Sequence, residues 1–109
     1  MSVARDELRQ QLRALEVELR RLGLWLAQPP SAAALRSPEP FCIDTLSLDQ
    51  WLQWLLIPRL NALLDGQLPL PTQCSVHGMA EESFQALDDG NRRLLTLINR
   101  IDQLVTQTP

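Results

Sequence analysis

Hydrophobic positions at both ends of the chain recur with the spacing of amphipathic helices. In the first segment, leucines alternate at steps of four and three residues from Leu8 to Leu26. This spacing predicts one helix with a buried stripe, beginning near Ser2 as its N-cap and ending before Pro29. The same kind of stripe recurs at positions 94, 98, 101 and 105, and it predicts a final helix that ends near Val105.

The middle of the chain is divided by prolines, because seven of the eight lie between Pro29 and Pro71. Proline fixes φ and donates no backbone hydrogen bond, so we expect a linker over residues 29–40 with one helical turn at 32–35. The mostly apolar residues that follow, 41–46, are predicted to pack as an extended strap.

A central helix is predicted to begin at Ser47, where Ser-Leu-Asp-Gln has the form of a capping box. Pro58 should kink this helix, because its ring removes one helical hydrogen bond, and Gly66 is the predicted stop. A short helix is expected from Met79 to Leu87, and Asp89 follows as a candidate cap for the final helix.

The composition supports an all-α fold. Leucine occurs 23 times, against four isoleucines and four valines, and leucine favours helix whereas β-branched residues favour strand. We therefore predict one domain over residues 1–109: a compact four-helix bundle with a long N-terminal helix, a Pro-kinked central helix, a short helix and a C-terminal helix.

The charged residues exclude several functional classes. All ten cationic residues are arginine, so lysine Schiff-base and Walker-lysine chemistry are excluded, and the net charge of −3 gives no bulk attraction to nucleic acid or anionic lipid. No apolar run reaches the roughly 18 residues that span a bilayer. The first residues lack the apolar stretch of a secretory signal, and we expect a cytoplasmic protein with no membrane association.

No metal, cofactor or catalytic group is predicted. His77, Cys42 and Cys74 lack the close paired spacing of zinc ligands, and the four scattered glycines form no phosphate loop. A nucleophilic Cys74–His77 pair has no orienting residue in the sequence. Catalysis through Asp44 and Arg59 is the least favoured interpretation.

The central helix contains exceptions to its own pattern. At about 100° per residue, Gln50, Gln53 and Asn61 should face water, yet Trp54 and Ile57 fall among them. One interpretation makes Trp54 and Ile57 an exposed anchor for a partner protein, a second copy of the chain included. The other is that a loop or helix covers them.

Arg59 is the opposite exception, because it falls on the leucine side of the same helix. A kink at Pro58 would turn it to solvent. If it stays inside, it requires a carboxylate, and Asp44 is the candidate, being the only acid in the strap. We take the buried Asp44–Arg59 bridge as the structural hypothesis, and Asp44→Ala should then cost about 3–5 kcal/mol.

A row of arginines follows one flank of the first helix: Arg5, Arg9, Arg13 and Arg20. With Glu16 interleaved, the row is typical of a solvated, salt-bridged face. Since local charge binds phosphate whatever the net charge, the alternative is a weak contact with tRNA.

The central segment resembles the YqcC-like family of small bacterial helical proteins. The resemblance is carried by Pro-Phe-Cys-Ile-Asp-Thr-Leu followed by Trp-Leu-Gln-Trp-Leu-Leu-Ile-Pro-Arg, and its motif residues are Phe41, Asp44, Trp51, Trp54, Pro58 and Arg59. Some members are encoded beside a tRNA pseudouridine synthase. The resemblance implies a small cytosolic protein of unknown function, with at most an accessory role in tRNA pseudouridine modification. From the residues, the leading interpretation is a non-enzymatic protein-binding module, and the accessory role is the alternative. Asp44 precedes Thr-Leu, not the loop of a pseudouridine synthase, so catalysis is not implied.

Overall fold

The computed structural model describes residues 3–72, 74–85 and 90–107, and every regular element within these ranges is helical. The all-α prediction is therefore confirmed. The helices are α1 (Val3–Arg21), α2 (Ala32–Leu35), α3 (Leu48–Trp51), α4 (Ile57–Asp65), α5 (His77–Ser83) and α6 (Arg92–Gln107). A 3₁₀ turn covers Pro40–Cys42, and a π-helical turn, Leu52–Leu56, joins α3 to α4 in one continuous central helix. The predicted caps Ser2 and Asp89 and the predicted end at Leu87 lie outside the described residues.

The stripes of the two end helices form the core. Four leucines of α1 are completely or almost completely buried against α6 and the central helix: Leu8, Leu12, Leu15 and Leu19. Four residues of α6 are buried with them: Leu94, Ile98, Ile101 and Val105. α1 packs along α6 and against α4, and α5 packs on α6. None of the described helices has the length and apolarity needed to cross a bilayer.

Helix α1 ends earlier than its leucine pattern predicts. Gly23 adopts φ 75°, and the Leu24 amide donates to the carbonyl of Leu19 at 2.9 Å. These contacts form a Schellman motif, which glycine favours because it has no Cβ to clash in the left-handed region. The prediction of a helix extending almost to Pro29 was wrong, although Leu22 and Leu24 still pack against the core.

The linker contains the predicted helical turn but not the predicted strap. α2 occupies residues 32–35, and the Ser31 hydroxyl accepts from the Ala34 amide at 3.1 Å. Instead of an extended strap, the chain coils, with Phe41 at φ 57° and Cys42 at φ 49°. The Leu46 amide then donates back to the Cys42 carbonyl at 2.8 Å.

The two ends of the central helix lie where the sequence predicts them. At its start, the Ser47 amide donates to the Gln50 side chain at 2.9 Å, as a capping box requires. At its end, the left-handed residue is Gln67, at φ 54°, whereas Gly66 keeps φ −85°. The helix therefore ends at Asp65 with Gly66 as its C-cap, as predicted, and the left-handed conformation falls on the next residue.

Candidate functional site

A π-helical turn resolves the exceptions in the central helix. Within this turn the Ile57 amide donates to the carbonyl of Leu52, five residues earlier. The turn therefore contains one residue more than an α turn, and residues beyond it are rotated by about 100° relative to a regular helix. Ile57 consequently enters the core, where it is 5% exposed, and Arg59 is turned to solvent.

The predicted Asp44–Arg59 bridge is absent. Both residues are exposed, and Asp44 instead accepts a hydrogen bond from the Ser37 hydroxyl at 2.5 Å. Since the π turn removes Arg59 from the leucine environment, it needs no buried carboxylate. The hypothesis of a buried ion pair was wrong. Arg59 faces solvent as the alternative predicted, although the π turn before Pro58, and not a kink at Pro58, turns it outward.

Gln53 is buried although the sequence predicts that it faces water. Its side-chain amide accepts from the Leu26 amide at 2.8 Å and donates to the Leu26 carbonyl at 2.7 Å. We call this pair of bonds the glutamine clamp. It fastens the segment after α1 to the central helix, and Trp25 and Leu26 line one groove together with Trp54.

The clamp decides the interpretation of Trp54 and Ile57. Ile57 is buried and Trp54 is half-buried beside the clamped loop, so the two do not form an exposed anchor. The structure supports the alternative that the two are covered: Trp54 lies beside the loop of Trp25 and Leu26, and the π turn places Ile57 in the core.

Most of the arginine flank on α1 is engaged within the fold. Arg5 donates to the carbonyl of Leu68 at 2.8 Å, where the central helix ends, and Arg9 pairs with Asp65 at 2.8 Å. Arg20 is paired with Glu16 at 2.9 Å and lies 4.8 Å from the ring centre of Trp25. Arg13 is exposed.

Two further ion pairs connect α1 to α6, one between Glu18 and Arg93 and one between Glu7 and Arg100. Glu18 is buried, accepts from Arg21 and lies 3.8 Å from Arg93. The hydrogen bond from Arg21 lowers the pKa of Glu18. Arg100 of α6 pairs with Glu7 at 2.6 Å, and this hydrogen bond lowers the pKa of Glu7. Sequence reasoning missed both pairs, because only the packing of α1 on α6 brings their members together.

An apolar pocket of about 380 Å³ lies on another side of the central helix, and we call it the arginine-rimmed pocket. Phe41 and Trp51 pack edge-to-face at its wall, with ring centres 4.9 Å apart and an interplanar angle of 72°. Its lining comprises Phe41, Trp51, Leu55, Leu56, Arg59, Leu60, Pro71, Cys74, Ser75 and Val76. Among the described residues of this lining, Arg59 is the charged one.

The wall formed by residues 74–76 is held by Asp102 of α6. Its carboxylate accepts from the amides of Val76 and His77, each at 2.8 Å, and from the Cys74 thiol at 3.1 Å. Burial, together with the bond to Asp102, raises the pKa of Cys74 to about 12. The thiol is therefore protonated at neutral pH and is not an activated nucleophile. His77 approaches Glu81 at 3.2 Å.

The motif residues are divided between two places. Phe41, Trp51 and Arg59 meet at the arginine-rimmed pocket, whereas Trp54 and Pro58 line the groove beside the glutamine clamp. Asp44 lies in neither lining. Among the described residues, no three His, Cys, Asp or Glu side chains are grouped so as to hold a metal ion.

A family model and two full-length relatives identify the same group of proteins. Residues 7–104 match the DUF446 family model, which is described as tRNA pseudouridine synthase C. An uncharacterised protein of Haemophilus influenzae is 37% identical over 100 residues, covering 92% of this chain and 93% of that one. Escherichia coli YqcC is 39% identical over 100 residues, covering 91% of each chain.

A larger protein shares part of the same sequence. A Pectobacterium carotovorum protein named tRNA pseudouridine synthase C is 44% identical over 66 residues, which are 61% of this chain and 18% of that one. The solution NMR structure of Escherichia coli YqcC superposes with a TM-score of 0.85 at 32% identity, covering 99% of this chain and 92% of that one. The chain therefore belongs to the YqcC-like DUF446 family of helical proteins.

Proposed function

We propose that this protein is a non-catalytic binding module that associates with a tRNA pseudouridine synthase through protein–protein contact. The observation that carries this proposal is the match to the Pectobacterium protein of that name. The shared segment is 61% of this chain but only 18% of that protein. The same sequence is a small part of a protein named as a synthase and the larger part of this chain. We therefore expect this chain to act together with such an enzyme.

The side chains support binding over catalysis. Asp44 is exposed and bonded to Ser37, and Asp102 is occupied by two backbone amides and a thiol. The Cys74 thiol is held protonated. None of these groups is arranged as an available acid, base or nucleophile.

The arginine flank favours a protein partner over RNA. Arg5 and Arg9 are joined to the end of the central helix, and Arg20 is joined to Glu16 and Trp25. A phosphate contact would have to displace these bonds. Arg13 alone is a weak electrostatic site on a protein of net charge −3.

The proposal is tested with two purified proteins, this chain and the tRNA pseudouridine synthase C of the same organism. We expect an equimolar complex by calorimetry and by light scattering on a sizing column, unchanged after nuclease treatment. No complex at the highest soluble concentrations would refute the proposal.

A parallel titration with tRNA alone tests the alternative function. We expect no binding at low salt, and no difference between the wild type and Arg13→Gln, which leaves the internal bonds of the flank intact. Salt-sensitive tRNA binding that Arg13→Gln weakens would instead favour RNA contact through the flank.

A further inference from the structure

We propose that the arginine-rimmed pocket receives a partner segment in which a large apolar side chain stands beside a carboxylate. The apolar side chain would fill the space between Phe41, Trp51 and Leu55, and the carboxylate would pair with Arg59. This inference rests on the proposed function, since it describes how the synthase would be held.

The pocket has the size and lining of a binding site. Its volume, about 380 Å³, is within the range of small-molecule and side-chain sites, and its lining is mainly leucine, aromatic and proline carbon. The cleft opens to solvent beside the core, so an apolar side chain of a partner can enter it without rearranging the fold.

Arg59 supplies the charge that selects the occupant. It is exposed, lines the pocket and makes no hydrogen bond or ion pair with any other residue in the part of the chain that the structure describes. Among the described residues, no carboxylate shares the lining. A guanidinium presents a planar set of donors that matches a carboxylate, so the complementary ligand is apolar with one negative group.

The backbone around the pocket is unusual on two sides. Phe41 and Cys42 adopt left-handed conformations in succession, at φ 57° and 49°, and this turn places the Phe41 ring against Trp51. Residues with a Cβ rarely adopt this conformation, and such strain is concentrated at sites that clamp ligands. On the other side, Leu55 and Leu56 belong to the π-helical turn, a feature frequent at functional sites.

The π turn is also what brings Arg59 to the rim. Without the extra residue, the regular spacing would place Arg59 among the buried leucines. The turn therefore has two effects. It lets the helix tolerate the missing backbone donor of Pro58, and it places the Arg59 guanidinium beside an apolar cavity. A structural role for Pro58 alone would not require an arginine at the next position.

A peptide segment fits these observations better than RNA. One guanidinium beside leucine and aromatic carbon offers little to a phosphate chain, which is bound by several cations. An apolar side chain would bury itself in the lining, and its neighbouring carboxylate would remain at the solvent edge with Arg59.

The first experiment measures binding of the purified synthase to wild type, Arg59→Glu and the matched control Arg36→Glu. Arg36 is exposed and outside both linings. We expect Arg59→Glu to weaken binding about tenfold or more, since attraction is replaced by like-charge repulsion, and Arg36→Glu to leave it unchanged. Wild-type binding with no loss in Arg59→Glu would overturn the pocket assignment and leave the proposed function standing.

A second pair of variants blocks the cavity without changing charge. Ser75→Trp places an indole at the lining, whereas Ser83→Trp adds the same side chain at an exposed position of α5 outside the pocket. We expect only Ser75→Trp to reduce synthase binding. Equal binding by the two variants, with helical content unchanged by circular dichroism, would refute the assignment.

A third experiment needs no synthase and tests the chemistry of the pocket. N-acetyl-leucine, which joins a leucine side chain to a carboxylate, is titrated at millimolar concentration while the Trp51 indole and Ser75 amide resonances are followed. We expect binding that is about three- to fivefold weaker for N-acetyl-leucinamide or for Arg59→Gln, because an exposed ion pair contributes that much. Equal binding of both probes, or no shift, would contradict the proposal. Arg59-dependent tRNA binding would assign the pocket to nucleic acid instead.

Discussion

Two sides of the central helix use arginine in opposite ways. On the clamped side, Arg9 of α1 reaches Asp65, and Gln53 holds the backbone of Leu26. On the pocket side, Arg59 stands exposed over apolar carbon. The first arrangement joins segments that are distant in sequence, so its polar groups already have partners within the fold. The second leaves the Arg59 guanidinium and the pocket accessible to a binding partner.

The difference shows which polar residues are informative about function. Charged residues that the fold pairs are explained by packing, as with the row on α1. Arg59 is different, because it is turned to solvent and makes no hydrogen bond or ion pair within the part of the chain that the structure describes. The following predictions test each side of this comparison.

The largest expected effect concerns the wall of the pocket. Asp102→Ala removes the acceptor for the amides of Val76 and His77 and for the Cys74 thiol. Because bonds to a charged group are strong and the amides lose their partner, we expect a loss of about 3–4 kcal/mol in the free energy of unfolding. Urea denaturation followed by circular dichroism measures it.

Two variants bracket that prediction. Asp102→Asn keeps one carbonyl acceptor and should lose about half as much, and Gln107→Ala, at the exposed end of α6, should change stability by less than about 0.5 kcal/mol. If Asp102→Ala matched the Gln107 control, the residues 74–76 would not depend on this carboxylate.

The next effect tests the clamped side. Gln53→Leu keeps a similar side-chain volume but leaves the amide and carbonyl of Leu26 without partners. We expect a loss of about 2 kcal/mol, and faster proteolysis of the segment after α1. Gln10→Leu, on the exposed side of α1, is the control. Equal stability of the two variants would mean that packing alone holds the loop.

A smaller effect depends on pH. Arg21 lowers the pKa of Glu18 below its ordinary value of 4.5, so Glu18 stabilises the fold fully above about pH 4.5 and loses this contribution as pH falls through its folded-state pKa. Because Arg21 is largely exposed, Glu18→Gln should cost only about 1–2 kcal/mol at neutral pH.

Acid titration of stability checks the sign. The difference between wild type and Glu18→Gln should shrink below about pH 4.5. Glu16→Gln, which breaks the more exposed pair with Arg20, should cost less than about 0.5 kcal/mol. A difference that grew towards acid pH would have the wrong sign for a carboxylate with a lowered pKa.

Sequence patterns predicted the fold where periodicity and caps agree. The leucine stripes of α1 and α6, the turn at 32–35 and the start at Ser47 were all visible as local signals. The early end of α1 was missed because Leu22 and Leu24 remain on the core, so the apolar pattern continues past Gly23. In that case the glycine, not the periodicity, was the correct signal.

The site was less predictable, because it depends on one extra residue in a turn. A uniform rotation of about 100° per residue places Ile57 among the polar positions and Arg59 among the leucines, and the predicted kink at Pro58 does not include the extra residue of the π turn. The two exceptions lie on either side of Pro58, and the single extra residue of the π turn accounts for both. Gln53 could not be recognised in this way, since its partner is a backbone segment 27 residues away.

The smallest expected effect sharpens the comparison most. Arg59→Ala should change the free energy of unfolding by less than about 0.5 kcal/mol, since the side chain is exposed. Asp44→Ala should lose at most about 1 kcal/mol with its bond to Ser37, far less than a buried bridge would cost. A double-mutant cycle in urea should give no coupling between the two positions, because they share no contact. Coupling of several kcal/mol would return Arg59 to the core and remove the cation from the pocket. Additive small effects would keep Arg59 exposed at the rim of the pocket, as the binding proposal requires.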